Sequence, residues 1–446
     1  MGHNRTLYVI SDLHIGGDWP TTTQRGFRMM TRVRELEAFI RERAAEAKET
    51  PVELVINGDF VDFLAERPKS AKWTPFRYDP DEAAATLDVI VERDQQVFTA
   101  LGDFIRAGGA LTIVLGNHDV ELALPQVHAA LDRALATRNY RFVNDGESYW
   151  AAENLVIEHG DRFDPTNRVD HEGLHRLRRH LSRGLRAGSE DLFEPPRGSV
   201  LVADVMNPLK QTYRFIDLLK PESEPLFALL LALEPGAKAY LGRFARALGP
   251  VPLQHLKRVV LGDIAASPAI AAAESEVDAE LLALLSTTVS NPSLALGEQA
   301  IEPVEIGIGD WVVSKWALIN LLVTDDQALD KRLAMVRQAL RAVDGDRTFD
   351  ATFEPSKRFV RGVAALAGTV TLHHPYVVLG HTHHAKRITV DDPDGSSYTY
   401  VNTGTWANLM RFPIGLLDPD EDRAREALRV FVQDLIADRD LSLIHI

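Results

Sequence analysis

Five short apolar runs, each ending abruptly in a polar corner, constrain the fold of this chain more than any other feature. Each run is rich in Val, Ile or Leu, which is typical of a buried β-strand. The runs are Leu7–Ile10, Leu54–Ile56, Leu111–Leu115, Leu155–Ile157 and Tyr376–Leu379. Long helical patterns over Gln24–Ala47 and Pro80–Ala107 separate the first three runs. Strands that alternate with helices predict an α/β fold with a layered sheet.

The alternation stops after the fourth run. Residues 165–370 are mostly helical in pattern, with repeated proline breaks, and we interpret them as a large helical insertion, or cap. The cap interrupts a core domain that comprises residues 1–164 and 371–440. Near the end of the chain, further strand patterns cover Lys386–Val390, Tyr398–Asn402 and Leu428–Gln433. The stretch DDPDGSS (391–397) predicts a hairpin turn.

Composition excludes several classes of function. The formal net charge of −15 provides no global positive field, so nucleic acid is not a favoured partner. The chain has no cysteine, which excludes a thiolate metal site and a cysteine nucleophile. A strand-like run that begins by Leu7 leaves no room for a signal peptide, and Leu226–Leu233 is too short to span a bilayer. We therefore expect a cytoplasmic protein, with peripheral membrane contact left open.

We interpret the tail LSLIHI (441–446) as a sequence scar, because it matches one reading frame of an adapter used in DNA sequencing.

Each strand-like run ends in side chains that commonly bind metal ions. In chain order, these are Asp12 and His14; Asp59 and Asp62; Asn117, His118 and Asp119; His159 and Asp161; and His381 and His383. Sites in open α/β sheets form at the carboxyl ends of the strands, so we expect these clusters to converge. Carboxylate, imidazole and amide donors suit Mn, Fe or Zn. A shared carboxylate would explain so many candidates, with two ions about 3.5–4 Å apart.

The spacing within two clusters carries a further prediction. In Asp12-x-His14 and in His381-x-His383, one residue separates the two candidate ligands. Side chains alternate along a strand, so this spacing predicts an extended segment with both ligands on one face.

The set DxH, GDxxD, GNHD, HGD and GHTH resembles the calcineurin-like metallophosphoesterase superfamily, over roughly 1–165 and 374–435. The resemblance implies a β-sandwich with helices on both outer faces, and hydrolysis of a phosphoester or diphosphate bond by a metal-bridging hydroxide. It also implies two ions, with Mn²⁺ as first choice. One would be held by Asp12, His14, Asp59 and His383, and the other by Asp59, Asn117, His159 and His381. His118 would act near the leaving-group oxygen, oriented by Asp119.

Differences from the motifs of known subgroups narrow the choice of substrate class. Phe63 stands where protein Ser/Thr phosphatases carry a phosphate-binding Arg, and the chain has GNHD in place of their GNHE. EHGDRFD and YVNTGTWANL look more like the UDP-2,3-diacylglucosamine diphosphatase branch, although the best-known members carry Arg at the position of His118 and have a far shorter cap. This likeness implies a phosphorylated small-molecule or lipid-linked substrate, such as a nucleotide-sugar lipid diphosphate. Two alternatives stay open: a nuclease or cyclic-nucleotide phosphodiesterase on the same fold, and a non-catalytic scaffold that retains it.

The cap offers two further features, each with two interpretations. Its first helical stretch carries Arg176, Arg178, Arg179 and Arg183, which would hold phosphate through forked hydrogen bonds or else form a solvated face. Its apolar stretches 226–233 and 240–249 would line an acyl pocket or pack the interior of the cap. Because the cap leaves and re-enters the core beside two ligand clusters, we expect it to cover the metal edge and to select the substrate.

Overall fold

A computed structural model describes residues 5–18, 28–67, 73–164, 166–212, 357–369, 374–391, 397–407 and 413–436. The chain divides into two compact units. The first comprises Met1–Ala203, Glu354–Asn408 and Ile446, and the second comprises Asp204–Phe353 and Leu409–His445. Most of the predicted cap, residues 213–356, lies outside the described residues, as do both of its apolar stretches and the tail 441–446. The predicted cap boundaries at 165 and 370 stay a prediction.

Two sheets form the centre of the first unit. The first sheet is entirely parallel, in the order β1 (Thr6–Ile10), β2 (Val52–Asn57), β3 (Ala110–Val114) and β4 (Arg141–Val143). The second sheet contains β5 (Tyr149–Ala152), β6 (Leu155–Ile157), β7 (Tyr376–Leu379), β8 (Lys386–Asp391) and β9 (Ser397–Asn402). Its order is β5-β6-β7-β9-β8, and β6, β7 and β9 run parallel. The antiparallel pairing of β8 with β9 confirms the predicted hairpin, although residues 392–396 of its turn lie outside the described residues.

The two sheets stack face to face. Because side chains alternate along each strand, every second residue points into the layer between the sheets. On β2, Val55 joins a buried cluster with Ile157 and Val378 of the second sheet. Its neighbours Leu54 and Ile56 point the other way, into the main core beneath the helices. This alternation places one apolar layer between the sheets and another on the outer face of each sheet.

Helices cover both outer faces of this sandwich. On the first sheet they are α1 (Val33–Glu46), α2 (Pro80–Arg93), α3 (Gln95–Arg106), α4 (Pro125–Leu135) and α5 (His171–Leu181), whose buried residues belong to the main core. On the second sheet, α8 (Lys357–Ala367) packs Val363 and Leu366 against Val377 and Tyr400. Two short helices, α6 (Arg197–Leu201) and α7 (Asn207–Thr212), precede α8 in the described chain. The predicted α/β sandwich with helices on both outer faces is confirmed.

One predicted strand is wrong. Leu428–Gln433 lies within a helix of the second unit, α9 (Glu421–Ile436). The Asp420 carboxylate accepts hydrogen bonds from the backbone N–H groups of Asp422 and Arg423, which caps the first turn of the helix. Buried Ala424, Leu428 and Phe431 then recur at intervals of four and three residues, the spacing of one helix face. The apolar run Leu428–Gln433 alone did not show this helical spacing of buried residues.

The predicted helix Pro80–Ala107 is two helices, which meet at Asp94. This residue leaves helical geometry at φ −122° and ψ 31°, and its buried carboxylate pairs with the Arg28 guanidinium. The predicted helix Gln24–Ala47 begins only at Val33 among the described residues, which include 28–47 of it. No helix in the described part of the chain is long and apolar enough to cross a membrane.

Candidate metal centre

The predicted ligands lie in the loops that directly follow the carboxyl ends of β1, β2, β3, β6 and β7. Backbone hydrogen bonds join these loops. The N–H of His14 donates to the carbonyl of Asp59 at 2.9 Å, and the N–H of Gly380 donates to the carbonyl of His159 at 2.9 Å. The structure thereby brings all seven side chains together at one edge of the sandwich: Asp12, His14, Asp59, Asn117, His159, His381 and His383.

The backbone of the ligand loops is not extended, which corrects the prediction from the Asp-x-His spacing. Positive φ values, between 46° and 67°, occur at Asp12, His14, Asp59, His381 and His383. Such left-handed conformations are strained for residues other than glycine, at about 1–3 kcal/mol each, and they cluster at functional sites. The ligands therefore face the centre because the chain turns sharply after each strand.

The first group comprises Asp12, His14, Asp59 and His383, all buried, with one potential ligand atom from each lying within 4.8 Å of the others. Nε2 of His383 is 3.2 Å from Oδ1 of Asp12 and 3.2 Å from Nε2 of His14. Nε2 of His14 lies 3.7 Å from Oδ2 of Asp59. Two imidazole nitrogens and two carboxylates thus enclose one small volume.

The second group shares Asp59 with the first. Nε2 of His159 lies 3.4 Å from the same Oδ2 of Asp59 and 3.1 Å from Oδ1 of Asn117. Nδ1 of His381 is also 3.1 Å from that Asn117 oxygen. The other Asp59 oxygen, Oδ1, accepts the backbone N–H of His118 at 2.8 Å, which fixes the carboxylate plane. A single carboxylate oxygen therefore faces both groups.

The second ligand group favours a positive charge, as the surroundings of His159 show. Its Nδ1 lies 3.0 Å from the carbonyl oxygen of Asn57, which only accepts hydrogen bonds, so Nδ1 carries the proton. In the neutral ring, the lone pair of Nε2 then faces two oxygen atoms. Burial lowers the pKa of His159, but the carboxylates of Asp59, Asp12 and Asp161 outweigh this effect and raise that pKa well above its usual value. A divalent cation would supply the same positive charge, and this donor set fits Mn, Fe or Zn.

Three glycines make room for the ligands. A Cβ atom on Gly116 would lie 2.2 Å from Oδ1 and 2.3 Å from the backbone nitrogen of Asp59. A Cβ on Gly58 would lie 2.1 Å from Nδ1 of His159, and one on Gly380 would lie 2.5 Å from Oδ2 of Asp12. Any side chain at these positions would displace a ligand, so the glycines are part of the site.

Gly116→Ala is expected to weaken metal binding by about tenfold to a hundredfold, the usual effect of disturbing the support of a ligand. The added methyl group forces the Asp59 backbone to move, since its nearest neighbours include that backbone nitrogen. Calorimetric titration with Mn²⁺ measures the effect. Gly368→Ala is the matched control, because its Cβ would meet only ordinary contacts at 3.5 Å. Equal affinities in the two variants would show that Gly116 does not shape the site.

His118 lies beside the two groups and pairs with Asp62. Its Nδ1 is 3.3 Å from Oδ1 of Asp62, and Nδ1 of His14 is 3.3 Å from Oδ2 of the same carboxylate. The predicted partner, Asp119, is not the one that orients His118. Its carboxylate accepts backbone N–H groups of Gly116 and Phe60, each at 2.7 Å. Asp119 therefore stabilises the backbone turn around Gly116. Asp62, to which the GDxxD motif assigned no role, orients the rings of His118 and His14.

A later segment supports the first loop. In the stretch YVNTGTWANL, the Thr405 hydroxyl donates to the carbonyl of Asp12 at 2.8 Å, and the N–H of Trp406 donates to the same oxygen at 3.2 Å. The Thr403 hydroxyl lies 2.6 Å from that of Ser11. This motif therefore positions Asp12, a role that its sequence did not reveal.

The arginines predicted to bind phosphate lie on α5, whose Leu174, Leu177 and Leu181 pack into the main core. Arg176, Arg179 and Arg183 are exposed and Arg178 is half-buried. Arg176 is within 4.0 Å of the acids Asp170 and Glu172, and Arg178 donates to the Asn144 side chain at 3.0 Å. Their role in substrate binding stays a prediction.

Arg77 is buried between the loops that follow β2 and β3. Its guanidinium donates to the carbonyl of Phe63 at 3.0 Å and to the carbonyl of Glu66 at 2.6 Å. It also lies 3.5 Å from the buried carboxylate of Glu121, which accepts the backbone N–H of Arg77 at 3.1 Å. This one side chain therefore joins the loop that carries Asp62 to the loop that carries His118.

Burial raises the pKa of Glu121 to about 7, so its carboxyl group is ionised beside Arg77 above about pH 8. At such a pH, Arg77→Met is expected to lower the free energy of unfolding by about 3–5 kcal/mol, because it leaves that carboxylate buried without its cationic partner. Urea denaturation of the metal-free protein measures this change. Arg133→Met is the control, since Arg133 forms an exposed ion pair with Asp88 at 3.5 Å, and such pairs contribute about 1 kcal/mol or less. Similar losses in both variants would contradict a buried linking role for Arg77.

The fold and the site together define a metal-dependent phosphoesterase. The sequence model of the calcineurin-like phosphoesterase family matches residues 5–229, and the chain belongs to that family. It is therefore a hydrolase that acts on phosphoester bonds, in a family that depends on two metal ions. The match includes the first four ligand clusters, while His381 and His383 lie beyond it. No curated protein matched the chain in a sequence comparison.

Proposed function

We propose that this protein binds two divalent cations, preferably Mn²⁺, and hydrolyses the diphosphate of a lipid-linked nucleotide sugar. The observation that carries the proposal is the shared Asp59 oxygen, which lies 3.7 Å from a nitrogen of the first ligand group and 3.4 Å from a nitrogen of the second. A carboxylate in this position would be able to serve two ions at once.

The ligand roles follow from the two groups. Asp12, His14, Asp59 and His383 would hold one ion; Asp59, Asn117, His159 and His381 would hold the other. When bound, two such cations offset the charge that develops on the phosphoryl oxygens and align the reacting groups. The buried side chains are held in fixed positions, because the loops that carry them are joined by backbone hydrogen bonds.

His118 is the proposed proton donor. Its backbone N–H is fixed on Asp59 and its Nδ1 faces Asp62, so Nε2 is the nitrogen that would serve a leaving-group oxygen. The Asp62 carboxylate stabilises the protonated ring, while His118 and His14 hold the pKa of Asp62 well below its usual value despite its burial. A positioned imidazole of this kind contributes general-acid catalysis.

The choice of a lipid-linked substrate is supported by sequence. EHGDRFD and YVNTGTWANL resemble the UDP-2,3-diacylglucosamine diphosphatase branch, and the predicted cap carries apolar stretches and arginines suited to acyl chains and phosphate. On this proposal the protein works in the cytoplasm, with peripheral contact to the membrane that holds its substrate.

His118 favours a second candidate, a cyclic-nucleotide phosphodiesterase. Release of an alcohol from a phosphodiester needs a proton at the leaving oxygen, whereas a nucleoside monophosphate leaves a diphosphate more easily. The His118–Asp62 pair, 3.3 Å apart, is the observation that supports this alternative.

A substrate panel with the purified protein and Mn²⁺ tests the proposal. It comprises an aryl phosphodiester, UDP-diacylglucosamine, a cyclic nucleotide and single-stranded DNA. We expect turnover of the aryl ester and the highest kcat/KM on UDP-diacylglucosamine, both abolished by chelation. Preference for the cyclic nucleotide or for DNA would replace the proposed substrate, and no metal-dependent turnover at all would favour the scaffold alternative.

A further inference from the structure

Asp164 lies against the outer side of His381. Its Oδ2 is 3.3 Å from Nε2 of His381, while Nδ1 of the same ring faces Oδ1 of Asn117 at 3.1 Å. The two nitrogens of the ring therefore face different partners: a carboxylate on the outside and the second ligand group on the inside. Asp164 belongs to no predicted cluster, although it follows His159 by five residues.

This geometry fixes the tautomer of His381. Both ring nitrogens face oxygen acceptors, and the negatively charged Asp164 carboxylate is a stronger acceptor than the neutral Asn117 amide oxygen. In the neutral ring the proton is therefore held on Nε2 and the lone pair stays on Nδ1. The nitrogen that faces the second ligand group is then ready to bind a cation. In His14 and His159 the arrangement is reversed, since their Nδ1 atoms face Asp62 and the Asn57 carbonyl. His381 is thus the ligand for which a separate partner at Nε2 is needed.

The Asp164 carboxylate is itself held in place. Its Oδ1 accepts the backbone N–H of Thr166 at 2.9 Å and the Thr166 hydroxyl, and its Oδ2 accepts the amide of Asn167 at 2.8 Å. The side chain is 29% exposed, so it is held by hydrogen bonds more than by packing. A fixed acceptor of this kind orients the ring as well as its proton.

We propose that Asp164 is a positioning residue that holds His381 in the tautomer needed by the second metal ion, and so sets the affinity for that ion alone. The inference rests on the proposed two-metal function. This effect is confined to the second ion, because among the described residues Asp164 contacts the second ligand group through His381 and makes no hydrogen bond or ion pair with Asp12, His14 or His383.

Asp164→Asn tests this role in the full-length protein. The asparagine amide can donate to Nε2, which favours the wrong tautomer. We expect long-range ¹H–¹⁵N NMR spectra of the metal-free protein to show the His381 proton moving from Nε2 toward Nδ1. In calorimetric titration with Mn²⁺, the second binding step should weaken by about tenfold to a hundredfold, with the first step unchanged. At limiting Mn²⁺ kcat should fall, and saturating Mn²⁺ should restore it.

Asp170→Asn is the matched control, because it makes the same change in the same segment at a residue that caps α5 through the N–H of Gly173. Asp164→Glu, which keeps the carboxylate, should restore part of the second-site affinity. Thr166→Val loosens Asp164 more gently and should shift the second step in the same direction if Asp164→Asn does not fold. A variant that loses both ions equally, or one with the tautomer and affinities of the wild type, would overturn the inference. A wild-type protein that binds a single ion would instead overturn the proposed function.

Discussion

Replacing His118 with alanine is expected to lower kcat by about 10²–10⁴-fold, the usual contribution of general-acid catalysis, while two ions stay bound. The expectation follows from the geometry, since the His118 ring contacts the Asp62 carboxylate, which also contacts His14, and lies edge-to-face on His14 with 4.8 Å between ring centroids. The predicted metal-binding groups do not need its side chain. Single-turnover kinetics and elemental analysis of the same sample measure the two quantities together.

His175→Ala is the control, because His175 is an exposed residue of α5. Asp62→Asn should give a smaller fall in kcat than His118→Ala, since it removes the stabilisation of the protonated ring but keeps the ring. Loss of metal from His118→Ala, with unchanged kcat for each occupied site, would make His118 a ligand or a support residue instead of the proton donor.

The apolar runs predicted a layered α/β sheet because its central strands are buried, whereas the sandwich was implied by the family resemblance. Val55 and Leu54 both lie in the core, on opposite faces of β2, so the centre of the strand, Leu54–Ile56, is an unbroken apolar run that is easy to recognise. β4 and β5 were missed, because they are short and partly exposed: Arg141 and Trp150 both face solvent. For Leu428–Gln433 the apolar run was equally suggestive, but Asp420 and Ala424 extend the pattern into a capped helix.

The ligand types could be predicted, whereas their orientation could not. Asp12 and His14 follow a strand whatever their φ angles, so the motif revealed their proximity but not the left-handed turns that aim them. The partners of the site's histidines are determined by contacts between loops that are distant in sequence. The choice of Asp62 over Asp119 as partner of His118, and the pairing of Asp164 with His381 across 217 positions, depend on tertiary structure that a local motif does not specify.

The largest loss of metal is expected from Asp59→Asn. Oδ2 of Asp59 faces His14 and His159 together, so one substitution weakens both ligand groups. Asparagine keeps the shape and, through Oδ1, the hydrogen bond from the His118 N–H, but it removes the negative charge between the two groups. Affinity for both ions should fall by more than about 100-fold, beyond the range typical of residues that only support a ligand. Turnover at limiting Mn²⁺ should fall below that of His118→Ala.

The control for this variant is Asp88→Asn, the same chemical change on the exposed side of α2. Circular dichroism of both metal-free variants establishes that the fold survives. A selective loss of one ion would mean that Asp59 serves a single metal, because a shared ligand has to weaken both binding steps. Two ions bound with wild-type affinity would show that Asp59 is not a metal ligand. The approach of His14 and His159 to the same carboxylate oxygen would then be unrelated to metal binding.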